Sequence, residues 1–178
     1  MSFKIIDVAG LKKSGKTTVV ENIVSELKSR GYKVGTVKKI HIPGFTIDQV
    51  GKDTYRHKQA GAEFVISLAP EEVALIRELH GKRSLAEIMD LVPTDTDFLV
   101  CEELNELRED VLYIITLTTL DSLDETVNVR NVGKKIIAIS GVVSNSQNDR
   151  IKNNMYPIIN STTNDGRKRL VDLILSAI

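Results

Sequence analysis

Residues 4–18, KIIDVAGLKKSGKTT, place Gly10, Gly15, Lys16 and Thr17 in the spacing GxxxxGK[ST]. Residue types in that order suit phosphate chemistry. The glycines let the backbone curl so that successive N–H groups point inward at an anion. A helix starting near Lys16 adds its positive end. Lys16 can then reach β- and γ-phosphates, and the Thr17 hydroxyl can sit on Mg²⁺. Lys12, Lys13, Ser14 and Thr18 belong to the same loop and are assigned with it to nucleotide binding. The alternative is a glycine turn with a chance lysine. The motif requires a strand before it and a helix after it, and this sequence supplies both.

A carboxylate is the second requirement. Glu102 follows the apolar run DFLVC and should emerge at the carboxyl end of a strand, the edge where such sheets bind ligands. There it can hold Mg²⁺ directly or through water, or orient an attacking water. The competing reading is a solvated acidic strand end, which fits Glu103 better. Asp97, at the other end of the run, reads as a turn residue. Lys38 and Lys39 end a strand at the same edge, and alternation lets at most one face the site easily. Contact with a phosphate or anionic ligand and a solvated lysine pair both stand open. His41, His57 and His80 lack Cys neighbours or HxxxH spacing, so no zinc site is expected. His57 is expected to be exposed. Cys101, inside an apolar run, reads as a small core residue.

These residues need elements to position them. Thr17 to Arg30 reads as a helix, with Val20, Ile23, Val24 and Leu27 on one face and Gly31 as its stop. Lys33 to Ile40 reads as a strand, which completes a βαβ unit with parallel strands. His41 to Gly51 reads as a loop or small hairpin, and Lys52 to Ala62 as a short charged helix with Asp53 as a possible N-cap. Glu63 to Leu68 and Val73 to Leu79 read as a hairpin. Ser84 to Leu91 reads as a brief helix opened by a Ser84–Glu87 capping box. Val111 to Leu117 and Lys135 to Val143 are buried-type strands, with a possible helix Ser122 to Val127 between them. Pro157 to Ile159 is a possible last strand, and Asp165 to Ile178 a closing helix. The alternation predicts an α/β fold with a mostly parallel sheet flanked by helices on both faces.

At 178 residues the chain suits a single nucleotide-binding domain, residues 1–178. Hydrophobic residues make up 42%, which excludes disorder. Lys+Arg and Asp+Glu are 24 each, so no bulk field favours nucleic acid. No run reaches the ~18 apolar residues of a membrane span, and no signal-peptide pattern opens the chain. The single Cys101 fits a reducing compartment. The expectation is a soluble cytoplasmic protein.

The chain resembles the molybdopterin-guanine dinucleotide biosynthesis protein B family (MobB) over nearly its whole length. The loop GLKKSGKTT is similar to that family's loop, including Lys12. In VKKIHIPGFTIDQVGKDTYRHKQAGA, Lys38, His41, Asp48, Gly51, Lys52, Asp53, Tyr55, Arg56, Gly61 and Ala62 fit the family's second block. DFLVCEE takes the place of its Asp-x-x-x-x-Glu-Gly, with Glu102 as the Glu, and ISGVVSN fits the late strand and turn. Three positions depart: Lys39 stands for His, Glu103 for Gly, and Asn105 for a Lys or Arg. Glu103 adds bulk and negative charge near a site meant for phosphate.

The resemblance implies a P-loop NTPase-like protein that binds GTP with Mg²⁺, hydrolyses it slowly and forms a homodimer. It implies a role assisting the nucleotidyltransferase that attaches GMP to molybdopterin, for a molybdenum or tungsten cofactor. Lys16, Glu102 and Asp48 would be its catalytic residues, Thr17 and Glu102 its metal ligands, and Lys38 and Arg56 ligand contacts. Lys38, Lys52 and Arg56 would supply an anion-binding surface for a pterin phosphate or an acidic partner. The resemblance is also the main ground for guanine over adenine. Asp121 follows a late strand in TTLD, an order that partly matches [NT]KxD, and it reads equally as the N-cap of the following helix. Two other classes stay open: a small-molecule kinase with Arg77 or Arg83 in a lid, and a nucleotide-gated adaptor with incidental hydrolysis.

Overall fold

The structure, a computed structural model, describes residues 3–78, 84–145 and 155–178. His80, Arg83 and the end of the expected strand at Leu79 lie outside them. The described residues form two compact units. One comprises residues 1–39 and 88–178, the other Ile40–Glu87.

The first unit is built on five parallel strands: β1 (Lys4–Gly10), β2 (Val34–Lys38), β5 (Phe98–Glu102), β6 (Val111–Thr116) and β7 (Ile136–Ser140). Their spatial order is β2-β5-β1-β6-β7. Between β2 and β5 the chain builds the second unit. The sheet order places Lys38 level with Glu102, and Glu102 level with Val8. Gly10 is level with Thr116 and begins the phosphate loop at the carboxyl edge. At the opposite edge Asp97 is the turn residue expected: its Oδ2 accepts the Lys33 N–H at 2.7 Å and its carbonyl the Lys4 N–H at 2.9 Å.

Alternation along β1 splits the core. Ile6 and Val8 face α1 (Lys16–Ser29) and α4 (Asn164–Ser176), packing with Val19, Ile23, Leu27, Leu170, Val171 and Ile174. Val20 and Val24 are only partly buried against this core, so the centre of the α1 stripe lies one residue from the expected one. The helix stops as the sequence predicts. Gly31 takes φ 87, and the Tyr32 N–H closes back on the Leu27 carbonyl at 3.2 Å. Asp7 points to the other face, level with Cys101 and Tyr113. α3 (Leu123–Val129) packs against β6, preceded by a 3₁₀ turn, Leu120–Ser122. The expected strand at 157–159 is a single parallel bridge, Ile139 to Ile158.

The second unit contains α2 (Asp53–Gln59) and an antiparallel hairpin, β3 (Phe64–Leu68) with β4 (Val73–Arg77). Lys52, not Asp53, is the N-cap of α2. Asp53 is the first helical residue and caps nothing, because the extended residue before it already breaks the helix. The segment after the hairpin is 3₁₀, Leu85–Leu91, not a capped α-helix, and the Glu87 N–H donates to the Ser84 carbonyl. Phe64, Ile66 and Leu68 pair across the hairpin with Arg77, Leu75 and Val73, and all five apolar side chains are exposed.

Candidate phosphate-binding site

The loop after β1 is held from the β6–β7 side of the sheet. Its backbone bends through Lys13 at φ 66 and Gly15 at φ 93, the N-cap of α1. The Ser14 hydroxyl donates to the Leu11 carbonyl at 2.8 Å and shares a 2.7 Å hydrogen bond with Thr116 Oγ1. The Ser14 carbonyl accepts the Val142 N–H at 3.1 Å. Gly141, at φ 83, makes that approach possible, since a Cβ there would lie 2.1 Å from the Ser14 oxygen. Ser14 is thus a buried strut, while Lys12, Lys13 and Thr18 are exposed.

Lys16 and Thr17, adjacent on the first turn of α1, meet different carboxylates. Thr17 Oγ1 donates toward Glu102, 3.1 and 3.2 Å from its two oxygens. Lys38 Nζ, at the end of β2, lies 3.1 Å from Glu102 Oε1. Lys39 turns to the other face, donating to the Leu104 carbonyl at 2.8 Å. Alternation therefore puts Lys38 at the site and Lys39 beneath it. A hydroxyl beside a carboxylate is a hard-oxygen pair suited to Mg²⁺. Among the described residues no group of three or more His, Cys, Asp or Glu is placed to hold a metal.

Glu103 corrects the sequence reading. It is not a solvated strand end. Its Oε1 lies 2.9 Å from Lys16 Nζ and 3.2 Å from an Arg130 guanidinium nitrogen, with the side chain 16% exposed. Lys16 Nζ also donates to the Gly10 and Leu11 carbonyls, at 3.2 and 2.8 Å. Arg130 Nε donates to the same Gly10 carbonyl at 3.0 Å.

Arg130 is the C-cap of α3. A closed helix end fixes it: the Val132 N–H reaches back to the Val127 carbonyl at 3.1 Å, with Asn131 left-handed at φ 49.

Below this layer lies Asp7, 1% exposed. Its Oδ1 accepts the Leu104 N–H at 3.0 Å, and its Oδ2 is buried with no hydrogen-bond partner. Burial pushes its carboxyl up to about 7, with the Glu103 charge adding to the effect and the Leu104 N–H opposing it. Burial likewise raises the Cys101 thiol, a core residue as expected.

Of the remaining expected residues, Asp48, Arg56 and Arg77 have partners of their own. Asp121 is exposed in the 3₁₀ turn and is not an N-cap, because Thr119 and Ser122 hold those positions. Asp48 and Arg56 belong to the second unit. Asp48 Oδ1 accepts the Thr54 hydroxyl at 2.7 Å and the Gln49 N–H at 2.9 Å. Arg56, exposed, lies 3.6 Å from Asp53 Oδ1. Arg77 donates to the Glu87 carbonyl at 2.7 Å, and His57 is exposed as expected. Asp7, Thr116 and Arg130 escaped the sequence reading.

A central parallel strand, a pinned glycine loop and a helix opening on Lys16 define a P-loop-type α/β fold. The family model for molybdopterin guanine dinucleotide synthesis protein B matches residues 5–141, and the chain belongs to that family. It is 35% identical over 94 residues to a molybdopterin-guanine dinucleotide biosynthesis adapter protein of Haemophilus influenzae, covering 51% of this chain and 52% of that one. It is 34% identical over 105 residues to a probable adapter protein of Bacillus subtilis, covering 56% and 58%. The chain thus spans about half the length of the curated relatives it matches. Crystal structures of MobB from Bacillus subtilis and of a MobB homologue from Bacillus stearothermophilus share the fold. The first has TM-score 0.72 at 24% identity, covering 99% of this chain and 98% of that one. The second has TM-score 0.63 at 18% identity, covering 97% of each.

Proposed function

We propose that the protein binds GTP with Mg²⁺ at the loop 10–17, hydrolyses it slowly, and serves in the cytoplasm as an adapter in molybdopterin-guanine dinucleotide biosynthesis. In this reading it assists the nucleotidyltransferase that joins GMP to molybdopterin. One observation carries the nucleotide reading. Thr17 sets its hydroxyl against both Glu102 oxygens one residue after a lysine at a helix N-terminus. Thr17 and Glu102 would hold the metal, which when bound neutralises developing phosphate charge. Lys16 would bind and orient the phosphates, and Glu102 would hold the attacking water. Family membership and the relatives' names support guanine and the adapter role.

The exposed face of the hairpin supports a homodimer. Phe64, Ile66, Leu68, Val73 and Leu75 form a contiguous apolar strip of the kind that marks a protein contact. Sedimentation as a monomer at micromolar concentration counts against that assembly.

The deciding experiment titrates GTP and ATP against wild type and Lys16→Ala, with circular dichroism as the folding control. GTP preference in the wild type and loss in the variant are expected, because the change deletes a charge-assisted phosphate contact. Equal affinity in a folded variant refutes the phosphate-loop reading. GDP and free phosphate are then measured for the protein alone, with small-molecule acceptors and with the nucleotidyltransferase. GDP formed only with a small acceptor, with the γ-phosphoryl found on that acceptor and not as free phosphate, would make the protein a kinase.

A further inference from the structure

Two cations converge on one carboxylate oxygen beside the phosphate loop. Lys16 Nζ and Arg130 both reach Glu103 Oε1, at 2.9 and 3.2 Å, and both also hold the Gly10 carbonyl. A shared, nearly buried anionic oxygen contacted by a phosphate-loop lysine and an arginine is what a nucleotide phosphate oxygen would be in the same place.

The placement of Glu103 is built into the backbone. Glu103 and Asn105 take φ 61 and 53, a conformation uncommon outside glycine. Between them the Leu104 N–H is anchored on Asp7 in the middle of β1. The left-handed residue at 103 swings its carboxylate away from Glu102, toward Lys16. Glu102 keeps Thr17 and Lys38, so two consecutive acids serve two separate sets of partners.

We propose that Glu103 is a resident anion in the phosphate seat, and that Arg130 is a phosphate ligand it holds in reserve. The nucleotide must displace the Glu103 carboxylate from Lys16 and Arg130, which then transfer to phosphate oxygens. Only the fraction of molecules with Glu103 displaced accepts phosphate, so apparent affinity falls by that fraction. Arg130 is suited to the transfer. Its Nε stays on the Gly10 carbonyl while the outer nitrogen exchanges one anionic oxygen for another. This inference rests on the proposed nucleotide site and deepens it.

The test is calorimetric titration of Mg-GTP and of pyrophosphate at fixed ionic strength. The proteins are wild type, Glu103→Gln, Glu103→Gln/Arg130→Ala and Lys16→Ala, each checked by circular dichroism. Glu103→Gln should tighten both ligands by roughly tenfold. Adding Arg130→Ala to it should return most of that gain, since the arginine then has no carboxylate to hold and acts only on the ligand. If Mg-GTP binds wild type in a Lys16-dependent way and Glu103→Gln binds no tighter, the resident-anion proposal is overturned and the phosphate loop stands. If Glu103→Gln binds tighter and the double variant matches it, Arg130 is no ligand and that half of the proposal falls. If neither wild type nor Glu103→Gln binds either ligand, the proposal and the nucleotide site fall together.

Discussion

Thr17 and Glu102 stand 85 residues apart in the chain, and the Thr17 hydroxyl lies 3.1 and 3.2 Å from the two oxygens of that carboxylate. The contact exists because β5 lies between β1 and β2 in the sheet, which carries Glu102 to the carboxyl edge beside the first turn of α1. Glu102→Gln keeps the shape and removes the charge. GTP should still bind, and single-turnover hydrolysis should slow by roughly 10²-fold. Equal rates in the two proteins would remove Glu102 from the chemistry. Asp97→Asn should leave the rate unchanged, because that carboxylate serves the Lys33 amide at the far edge.

Gly141→Ala should damage both loop and stability. Its Cβ would sit 2.1 Å from the Ser14 carbonyl oxygen, and the residue is at φ 83. Backbone cannot yield as a flexible side chain can, so the loss should exceed roughly 2 kcal/mol, with weaker nucleotide binding. Gly31→Ala isolates the conformational part. Gly31 has φ 87 but nothing within 4 Å of the added carbon, so only about 1 kcal/mol of left-handed strain applies. Chemical denaturation of the two variants separates clash from strain, and equal losses would mean the Ser14 contact is slack.

Asn131→Gly should stabilise the protein. Asn131 holds the left-handed position after the α3 C-cap, is exposed, and closes the turn that presents Arg130. Glycine adopts φ 49 without a Cβ penalty, worth roughly 0.5 kcal/mol after its entropic cost. Thermal unfolding should rise by about 1–2 °C. A fall would show that the asparagine side chain contributes more than its backbone costs.

How much of this was legible depends on sequence distance. The strand, loop and helix at 4–30 are local signals, as is the Gly31 stop, and the structure follows them to within a residue or two. The parallel sheet followed from alternating element types. Beyond Thr17 and Glu102, expected together at one edge, partners were not legible. Ser14 meets Thr116 across 102 residues of chain, and nothing in either local pattern announces the pair. Arg130 lies beyond the expected helix Ser122 to Val127, and only the order β1-β6 brings the end of α3 beside Gly10. Glu103 reads as the solvated member of an acidic pair because strand alternation sends it off the Glu102 face. The family's Gly at this position is the one sign of the left-handed φ that redirects it. Asp7 did carry a signal: a lone carboxylate in a strand buried on both faces must lack solvent and alter its ionisation.

That carboxylate supplies the last prediction, a pH dependence of stability. Its pKa rises from 3.8 to about 7 in the folded protein, chiefly because burial disfavours the charged form. The raised value means the folded state holds a proton that the unfolded chain has released. Between pH 4 and 7 the folded protein therefore binds more protons, and its stability falls as pH rises. Below about 4 both states are protonated and the stabilisation is fully present. Above about 7 both are ionised and the loss is complete, roughly 4 kcal/mol for a shift of this size. Burial sets the sign, and the groups facing Asp7 modify the size of the effect. Cys101 and Tyr113 flank it on neighbouring strands, while Glu103 opposes ionisation and Lys39 favours it. Asp7→Asn keeps an oxygen for the Leu104 amide and removes the titration. Urea denaturation from pH 4.5 to 8 should show wild type losing stability steadily up to about pH 7 and levelling off above it. The variant should be flatter across that range and the more stable protein at pH 8. Parallel curves for the two proteins would mean that the buried Asp7 Oδ2 is solvated in solution and that the carboxyl does not titrate with a raised pKa.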